Sequence, residues 1–202
     1  MNRDDVELVA TETPFQGYFR VDRLSLRHKR FDGGTSPVLV REIFERGHAA
    51  ACLPYDPDLD RVVLLEQFRP GPYAAGDPNP WLIEAVAGIV EPGENNEEVV
   101  HREAVEEMGR TVSDLFHVVD LYPTPGGSTE TIAVYVGRVD ANGAEGVFGH
   151  QEEGEDIRVF SLSLDEALEW FDTGRINNAG LVVPLLWLAR NRDRLRALWR
   201  AG

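Results

Sequence analysis

The hydrophobic and polar positions of this chain predict a mixture of short strands and helices. Apolar residues alternate with polar ones in several short runs, as in β-strands, and recur at three- or four-residue steps elsewhere, as in helices. The predicted strands cover 17–21, 24–28, 38–44, 49–54, 61–69, 81–86, 115–121, 131–139 and 157–161. The predicted helices cover 95–108, 165–171 and 178–199, and the segments 70–80 and 140–156 are predicted loops.

This order of elements predicts an α/β (α+β) fold. Strands and helices mixed in this way fit an α/β/α sandwich around a mixed β-sheet. Residues 1–47 have few apolar side chains for a core of their own, so we predict a small N-terminal antiparallel β module that packs against a partner subunit. Residues 48–202 then form the main domain, and no internal repeat divides it.

The helix near residue 96 has clear boundary signals. An Asn side chain at 95 or 96 can cap it, and Glu97 and Glu98 then lie in its positive first turn. Val100, Ala104 and Met108 recur every four residues and predict its buried stripe.

Three carboxylates lie along one edge of that stripe. Glu103 and Glu107 are one turn apart, and Glu106 lies further round on the same side. Like charges at this spacing repel, and packing them beside a buried face costs more unless a cation holds them. Hard oxygen ligands on a rigid element suit Mg²⁺, with Mn²⁺ or another divalent cation as the alternative. The competing interpretation is a solvated, charged helix face.

Charge and composition limit the possible partners. Twenty basic and thirty-five acidic residues give 20 − 35 = −15, which argues against nucleic acids and anionic membranes. Bound divalent cations would reconcile this charge with a phosphate-containing substrate. The single cysteine, Cys52, lies in an apolar run and reads as a buried, inert thiol. Without a signal peptide or an apolar stretch of about 18 residues, we expect a soluble, cytoplasmic protein.

The carboxylates belong to a longer pattern between two glycines. Its specified positions are Gly88, Glu94, Arg102, Glu103, Glu106, Glu107 and Gly109. This pattern resembles the signature of the Nudix hydrolases. Ala104 is smaller than the aliphatic residue usual in the family, and Arg110 replaces an aliphatic one, but neither is a proposed ligand.

Other segments resemble one branch of that family, the bacterial ADP-ribose pyrophosphatases. The resemblance covers nearly the whole chain and is carried by residues 41–50, 66–69, 81–88, 125–130 and 153–159. It implies a homodimer in which the N-terminal strands swap between subunits and help to form each other's sites.

The resemblance also implies roles around the pyrophosphate-cleaving site. Its metal ligands would be Glu103, Glu107, Glu106 and the Ala87 carbonyl, with Glu94 binding or orienting them. Arg102 would pair with a neighbouring carboxylate. Glu153 would be the general base, and Glu155 would support its loop or the metals.

Substrate contacts are implied in the same way. Arg69 and Arg41 would contact the diphosphate or adenine-side groups, since the planar guanidinium binds oxyanions through two donors. Tyr18 would stack on adenine, Glu42 would bond to the base, and Glu130 would hold the terminal ribose.

We therefore predict a Mg²⁺-dependent enzyme that hydrolyses ADP-ribose to AMP and ribose 5-phosphate. One alternative keeps the chemistry with another nucleoside diphosphate sugar, such as GDP-mannose. A second is a non-catalytic module that binds ADP-ribose, and a third is a structural domain with a charged helix.

Overall fold

The structure, a computed structural model, describes residues 1–150, 152 and 154–200. The chain divides into two compact units. The first consists of Met1–His48 and Tyr122–Thr131, and the second of Ala49–Leu121 and Ile132–Gly202.

The first unit is built on a three-stranded antiparallel sheet. Its strands are β1 (Val6–Gln16), β2 (Arg20–His28) and β3 (Leu39–Glu45), in that spatial order. The loop 122–131 joins this sheet through Phe44, whose backbone N–H donates to the Gly127 carbonyl over 2.7 Å. The antiparallel module is as predicted, but the two strands expected at 17–21 and 24–28 form the single strand β2, and β1 was not predicted. Every residue of β1 is exposed, so the strand lacks the half-buried alternation that identifies strands.

The second unit contains a mixed sheet of eight strands. Six of them lie in the order β10-β11-β5-β4-β9-β8, where β4 and β9 are parallel and the other neighbours antiparallel. Their bounds are β4 (Ala49–Asp56), β5 (Arg61–Phe68), β8 (Ser113–Leu121), β9 (Ile132–Arg138), β10 (Gly146–Phe148) and β11 (Ile157–Ser163). The helices are α1 (Pro70–Ala74), α2 (Asn96–Met108), α3 (Leu164–Asp172) and α4 (Ala179–Arg200). Helix α1 and strand β10 lie in segments that were predicted to be loops.

Alternating strand residues fill two cores, one on each face of this sheet. From β4, Ala50 and Cys52 pack on the α2 side, whereas Leu53 and Tyr55 pack on the other side. The second core also takes large side chains from α3 and α4, including Leu164, Leu181, Leu185 and Leu188. This arrangement confirms the predicted α/β/α sandwich.

The two remaining strands, β6 (Trp81–Glu84) and β7 (Val86–Ile89), come from one stretch of chain, which we call the bridging segment (residues 81–89). Strand β6 pairs with β5 from Leu65 to Phe68, whereas β7 pairs with β4 from Ala49 to Cys52. Strands β4 and β5 pair directly only near their turn, at Tyr55–Val62 and Asp56–Arg61. The single strand predicted at 81–86 is therefore wrong: the chain changes partner after Glu84.

Asp60 connects the β4–β5 turn to the helical layer. Its carboxylate accepts hydrogen bonds from the Tyr55 hydroxyl over 2.7 Å and from Arg192 Nε of α4 over 2.8 Å. Its carbonyl accepts the Leu164 N–H at the start of α3 over 3.1 Å. The backbone of Asp60 has φ 58°, a left-handed conformation that Asp and Asn adopt more readily than most residues.

We expect the substitution Asp60→Asn to lower the free energy of unfolding by about 1–2 kcal/mol. Asn tolerates the same backbone conformation, so the lost stability reports only the missing carboxylate charge that pairs with Arg192. Urea unfolding followed by tryptophan fluorescence measures this. The exposed neighbour Asp58 provides the control, because Asp58→Asn should leave the midpoint unchanged. Equal stability of the two variants would show that the carboxylate charge at position 60 contributes nothing.

Cys52 is fully buried in the α2-side core, as predicted. Burial raises the pKa of its thiol, so the reactive thiolate is suppressed at neutral pH. We expect no reaction of the native protein with a chromogenic disulfide reagent over an hour at pH 8, and stoichiometric reaction in urea. Rapid labelling without denaturant would mean that this strand opens in the native state.

Candidate active site

Helix α2, which carries the predicted acidic residues, is capped at both ends. Asn95 Oδ1 accepts hydrogen bonds from the backbone N–H groups of Glu97 and Glu98 over 3.0 Å. In turn, Glu98 Oε2 accepts a hydrogen bond from the Asn95 N–H. The helix ends at Gly109, whose φ of 64° is the left-handed geometry of a helix stop. The predicted helix boundaries are correct because both signals are local in sequence.

Arg102 gathers three of the carboxylates. Its Nε donates to Glu94 Oε1 over 3.0 Å, and its Nη1 donates to Glu103 Oε1 over 2.7 Å and Glu106 Oε2 over 3.0 Å. The hydrogen bond from Arg102 and the Glu91 N–H hold the pKa of Glu94 below its usual value. The same carboxylates raise the pKa of Arg102, so the guanidinium stays charged. The expected pairing of Arg102 with one neighbour is in fact a contact with three.

Glu103 lies against the backbone of β7. A Cβ atom on Gly88 would overlap the Glu103 carboxylate, so any other residue there would force the Glu103 side chain to move. Burial raises the pKa of Glu103, the hydrogen bond and charge of Arg102 lower it, and Glu106 and Glu155 add to the rise. The side chain therefore occupies a site where an added cation would stabilise its ionised form.

Glu107 is the most buried of these side chains. It is 4% exposed, and its Oε2 accepts the Ala87 backbone N–H over 2.9 Å. Burial raises the pKa of its carboxyl group to about 8, the Ala87 N–H opposes this rise, and Glu103 adds to it. Ala87 and Glu107, two predicted ligand positions, are thus adjacent.

Arg69 follows β5 and faces the same cluster. Its Nη2 and Nε donate to Glu84 Oε2 over 2.7 and 2.9 Å, and Gln67 Nε2 donates to the same oxygen over 3.2 Å. Burial tends to lower the pKa of Arg69, but Glu84, Glu107 and Glu155 outweigh it and raise the pKa. Arg69 is therefore a charged group paired with Glu84.

The loop between β10 and β11 brings a further acid close to α2. The Glu155 N–H donates to the His150 carbonyl over 3.1 Å, and the His150 N–H donates to Glu155 Oε2 over 3.0 Å. The His150 ring lies near the helix, with Nε2 3.7 Å from Glu106 Oε1. Glu153, the predicted base, lies outside the described residues.

The donor set suits a hard divalent cation: several carboxylates, one of them buried with a raised pKa, beside a backbone strand. Within the described part of the chain, however, no group of three or more His, Cys, Asp or Glu side chains is arranged to hold a metal ion. The geometry explains this, because Arg102 occupies oxygens of Glu94, Glu103 and Glu106, and the Ala87 N–H occupies one of Glu107. A cation would compete with Arg102 for Glu103 and Glu106.

Four predicted substrate contacts belong to the first unit. Tyr18 lies in the β1–β2 turn and is 88% exposed, and its ring meets Phe19 edge-on at 4.8 Å. Arg41 is exposed and donates to the Val40 carbonyl.

The other two are already paired. Glu42 accepts Arg23 Nη2 over 2.9 Å, and Glu130 accepts Arg46 Nη1. In this structure Tyr18 and Arg41 therefore leave the ends of their side chains accessible, whereas the acids are held by arginines.

Sequence reasoning missed three site residues. Glu84 stands out in retrospect as a charge among apolar neighbours in the 81–86 segment, a usable signal. Gln67 and His150 carry no such signal, because their place depends on strand pairing and on the loop path.

The chain is similar to known proteins over most of its length. A family model described as NUDIX domain matches residues 45–181. The chain is 44% identical over 197 residues to the ADP-ribose pyrophosphatase of Escherichia coli (strain K12), covering 98% of this chain and 94% of that protein. It is 39% identical over 203 residues to the ADP-ribose pyrophosphatase of Haemophilus influenzae, with coverages of 98% and 93%.

More distant relatives share the fold or the domain. The GDP-mannose pyrophosphatase of Cronobacter sakazakii is 35% identical over 185 residues, covering 90% of this chain and 93% of that protein. A solved structure titled "Crystal structure of ADP compounds hydrolase" superposes with a TM-score of 0.69 at 20% identity, covering 93% of this chain and 96% of that one. With a domain match across more than half its length and close full-length relatives, the chain belongs to the Nudix family.

Proposed function

We propose that this protein is a Mg²⁺-dependent ADP-ribose pyrophosphatase that hydrolyses ADP-ribose to AMP and ribose 5-phosphate. The observation that carries the proposal is the carboxylate cluster of α2, where Glu103 and Glu107 lie against β7 and Arg102 links Glu103 to Glu106. The substrate is supported by identities of 44% and 39% to proteins named ADP-ribose pyrophosphatase, against 35% to one named GDP-mannose pyrophosphatase.

Nudix hydrolases generally use divalent cations, and here Glu103, Glu107, Glu106 and the Ala87 carbonyl would hold them, with Glu94 binding or orienting these ligands. Mg²⁺ is the cation proposed, since an all-oxygen site on a rigid helix suits it, and Mn²⁺ is the expected substitute. A bound divalent cation would neutralise charge on the diphosphate oxygens and lower the pKa of a water.

The protein's own groups have distinct tasks in this proposal. Arg69 would bind the diphosphate through its planar guanidinium. Glu153 would take the proton from the attacking water. Glu155 would keep the loop of Glu153 in shape through its two hydrogen bonds to His150.

The first unit would supply the base and ribose contacts. Tyr18 would stack on adenine, Arg41 would contact the adenine side or the diphosphate, and Glu42 would bond to the base. Glu130 would hold the terminal ribose. The exposure of Tyr18 supports a role in contacting a ligand, because an aromatic ring that is 88% exposed contributes little to packing.

We also propose a homodimer with exchanged N-terminal strands. The first unit, which is described throughout, contains no α-helix to cover its sheet. Several apolar side chains of that sheet are exposed, including Leu8 at 59%, Phe15 at 58% and Val40 at 52%. A second copy would bury this surface. The structure describes no helix long and apolar enough to span a membrane, and the cytoplasmic location stays a prediction.

A substrate panel tests the proposed function. Purified protein is incubated with ADP-ribose, GDP-mannose and other nucleotide sugars, with Mg²⁺ or with a chelator, and the products are separated by ion-exchange chromatography. We expect AMP and ribose 5-phosphate from ADP-ribose, only with Mg²⁺, and a kcat/KM for ADP-ribose above that for GDP-mannose. A preference for GDP-mannose would favour the alternative enzyme. Tight binding of ADP-ribose without cleavage would indicate the binding module.

A further inference from the structure

Glu84 is a half-buried acid to which the proposed chemistry gives no role. It lies on β6 opposite Leu65 of β5, whose side chain packs in the α2-side core, so Glu84 points to the same face. Its side chain is 14% exposed, and its neighbours Ile83 and Ala85 are buried. An ionised carboxylate in this place is costly unless it is fully hydrogen-bonded.

Both carboxylate oxygens of Glu84 accept hydrogen bonds, and Oε1 accepts one from Arg69 Nε over 3.2 Å. Glu84 Oε2 accepts from Arg69 Nη2 over 2.7 Å, Arg69 Nε over 2.9 Å and Gln67 Nε2 over 3.2 Å. Gln67 is itself buried, at 7% exposure, so it cannot turn away into solvent. Two donors from one planar guanidinium fix both its position and its plane.

The orientation of Arg69 matters because other acids compete for it. The charges of Glu107 and Glu155 also act on its guanidinium, although Glu84 is the only acid among the described residues that accepts hydrogen bonds from it. Glu107 has one oxygen on the Ala87 N–H. If Arg69 turned to Glu107, it would take up oxygens that a cation needs.

We infer that Glu84 is a positioning residue: it fixes Arg69 in one orientation and keeps its guanidinium off Glu107, which leaves Glu107 free to bind a divalent cation. The part of this inference that concerns the diphosphate rests on the proposed function. The part that concerns the cation does not, because it can be measured without substrate.

Glu84→Gln tests the inference, since it keeps the shape and one acceptor but removes the charge that holds Arg69. The affinity for Mn²⁺ alone is measured by electron paramagnetic resonance of the free ion, and kcat and KM are measured with ADP-ribose. We expect Mn²⁺ affinity to fall at least ~10-fold, and KM to rise more than kcat falls, because a mispositioned Arg69 loses ground-state contacts first.

A double-mutant cycle separates orientation from simple charge loss. In the background Arg69→Gln there is no guanidinium to turn toward Glu107, so adding Glu84→Gln should change Mn²⁺ affinity less than about 3-fold. If the two substitutions instead act additively, or if Glu84→Gln binds Mn²⁺ like the wild type, the inference is wrong.

Two further variants keep the test decisive. Glu66→Gln removes the acid of another Arg–Glu pair, formed by Glu66 of β5 and Arg158 of β11. This control variant should leave Mn²⁺ affinity unchanged. If Glu84→Gln does not fold, Glu84→Asp keeps the charge one methylene short of Arg69 and should also weaken Mn²⁺ binding; wild-type affinity in that variant overturns the inference. Failure of the wild type to cleave ADP-ribose would remove the proposed function but leave the Mn²⁺ result standing.

Discussion

Glu107→Gln is expected to lower kcat for ADP-ribose by at least ~10²-fold, the low end for an essential charge-handling group. Glu107 is 4% exposed and is held by the Ala87 N–H, so water or an anion from solvent cannot take the place of its carboxylate. Gln fills the same volume without the anionic oxygen that a divalent cation prefers. Glu103→Gln, one helical turn away, should have an effect of similar size.

The rates are measured at saturating Mg²⁺, so that a weaker cation affinity does not account for the whole loss. Glu97→Gln provides the matched control, because Glu97 lies on the same helix but is exposed in its first turn. We expect that variant to keep wild-type turnover within about 2-fold. A wild-type rate for Glu107→Gln under these conditions would refute its assignment as a ligand.

Gly88→Ala is the second substitution with a large expected effect. The added methyl group overlaps the Glu103 carboxylate, and this side chain must move because the β7 backbone is held by pairing with β4. We expect kcat to fall at least ~10-fold from the misplaced ligand, and stability to fall by about 1–3 kcal/mol from overpacking. Steady-state kinetics and urea unfolding measure the two effects.

Gly71→Ala tests whether any added methyl group would do the same. A Cβ at Gly71, in α1, meets no heavy atom within 4 Å, so both turnover and stability should stay near the wild type. Unchanged turnover in Gly88→Ala would mean that Glu103 works equally well from a displaced position, which would exclude a geometrically demanding role.

The α2 part of the site could be predicted from sequence because its determinants are local. The cap at Asn95, the stop at Gly109 and the spacing of Glu103 and Glu107 all lie within one helix. Helical geometry then converts spacing into shared position without knowledge of the rest of the fold.

The strand part could not be predicted, because strand pairing is not local. Nothing in the spacing of Arg69 and Glu84 states that β5 and β6 are neighbours, and the change of partner after Glu84 is invisible in a run of apolar residues. Strand β1 was missed for a related reason: its residues are exposed, so burial imposed no alternating pattern on them.

The bridging segment ties part of the site to two strands of the sheet. Sites assembled on loops can open locally at little cost in free energy. Glu84, in contrast, lies on a strand that pairs with β5, and Ala87 and Gly88 lie on a strand that pairs with β4. Asn178, at the start of α4, also donates to the Ile83 carbonyl and ties this segment to the helical layer. Glu84, Ala87 and Gly88 therefore cannot open without breaking strand pairing in the sheet. The freedom needed for turnover comes from outside residues 81–89.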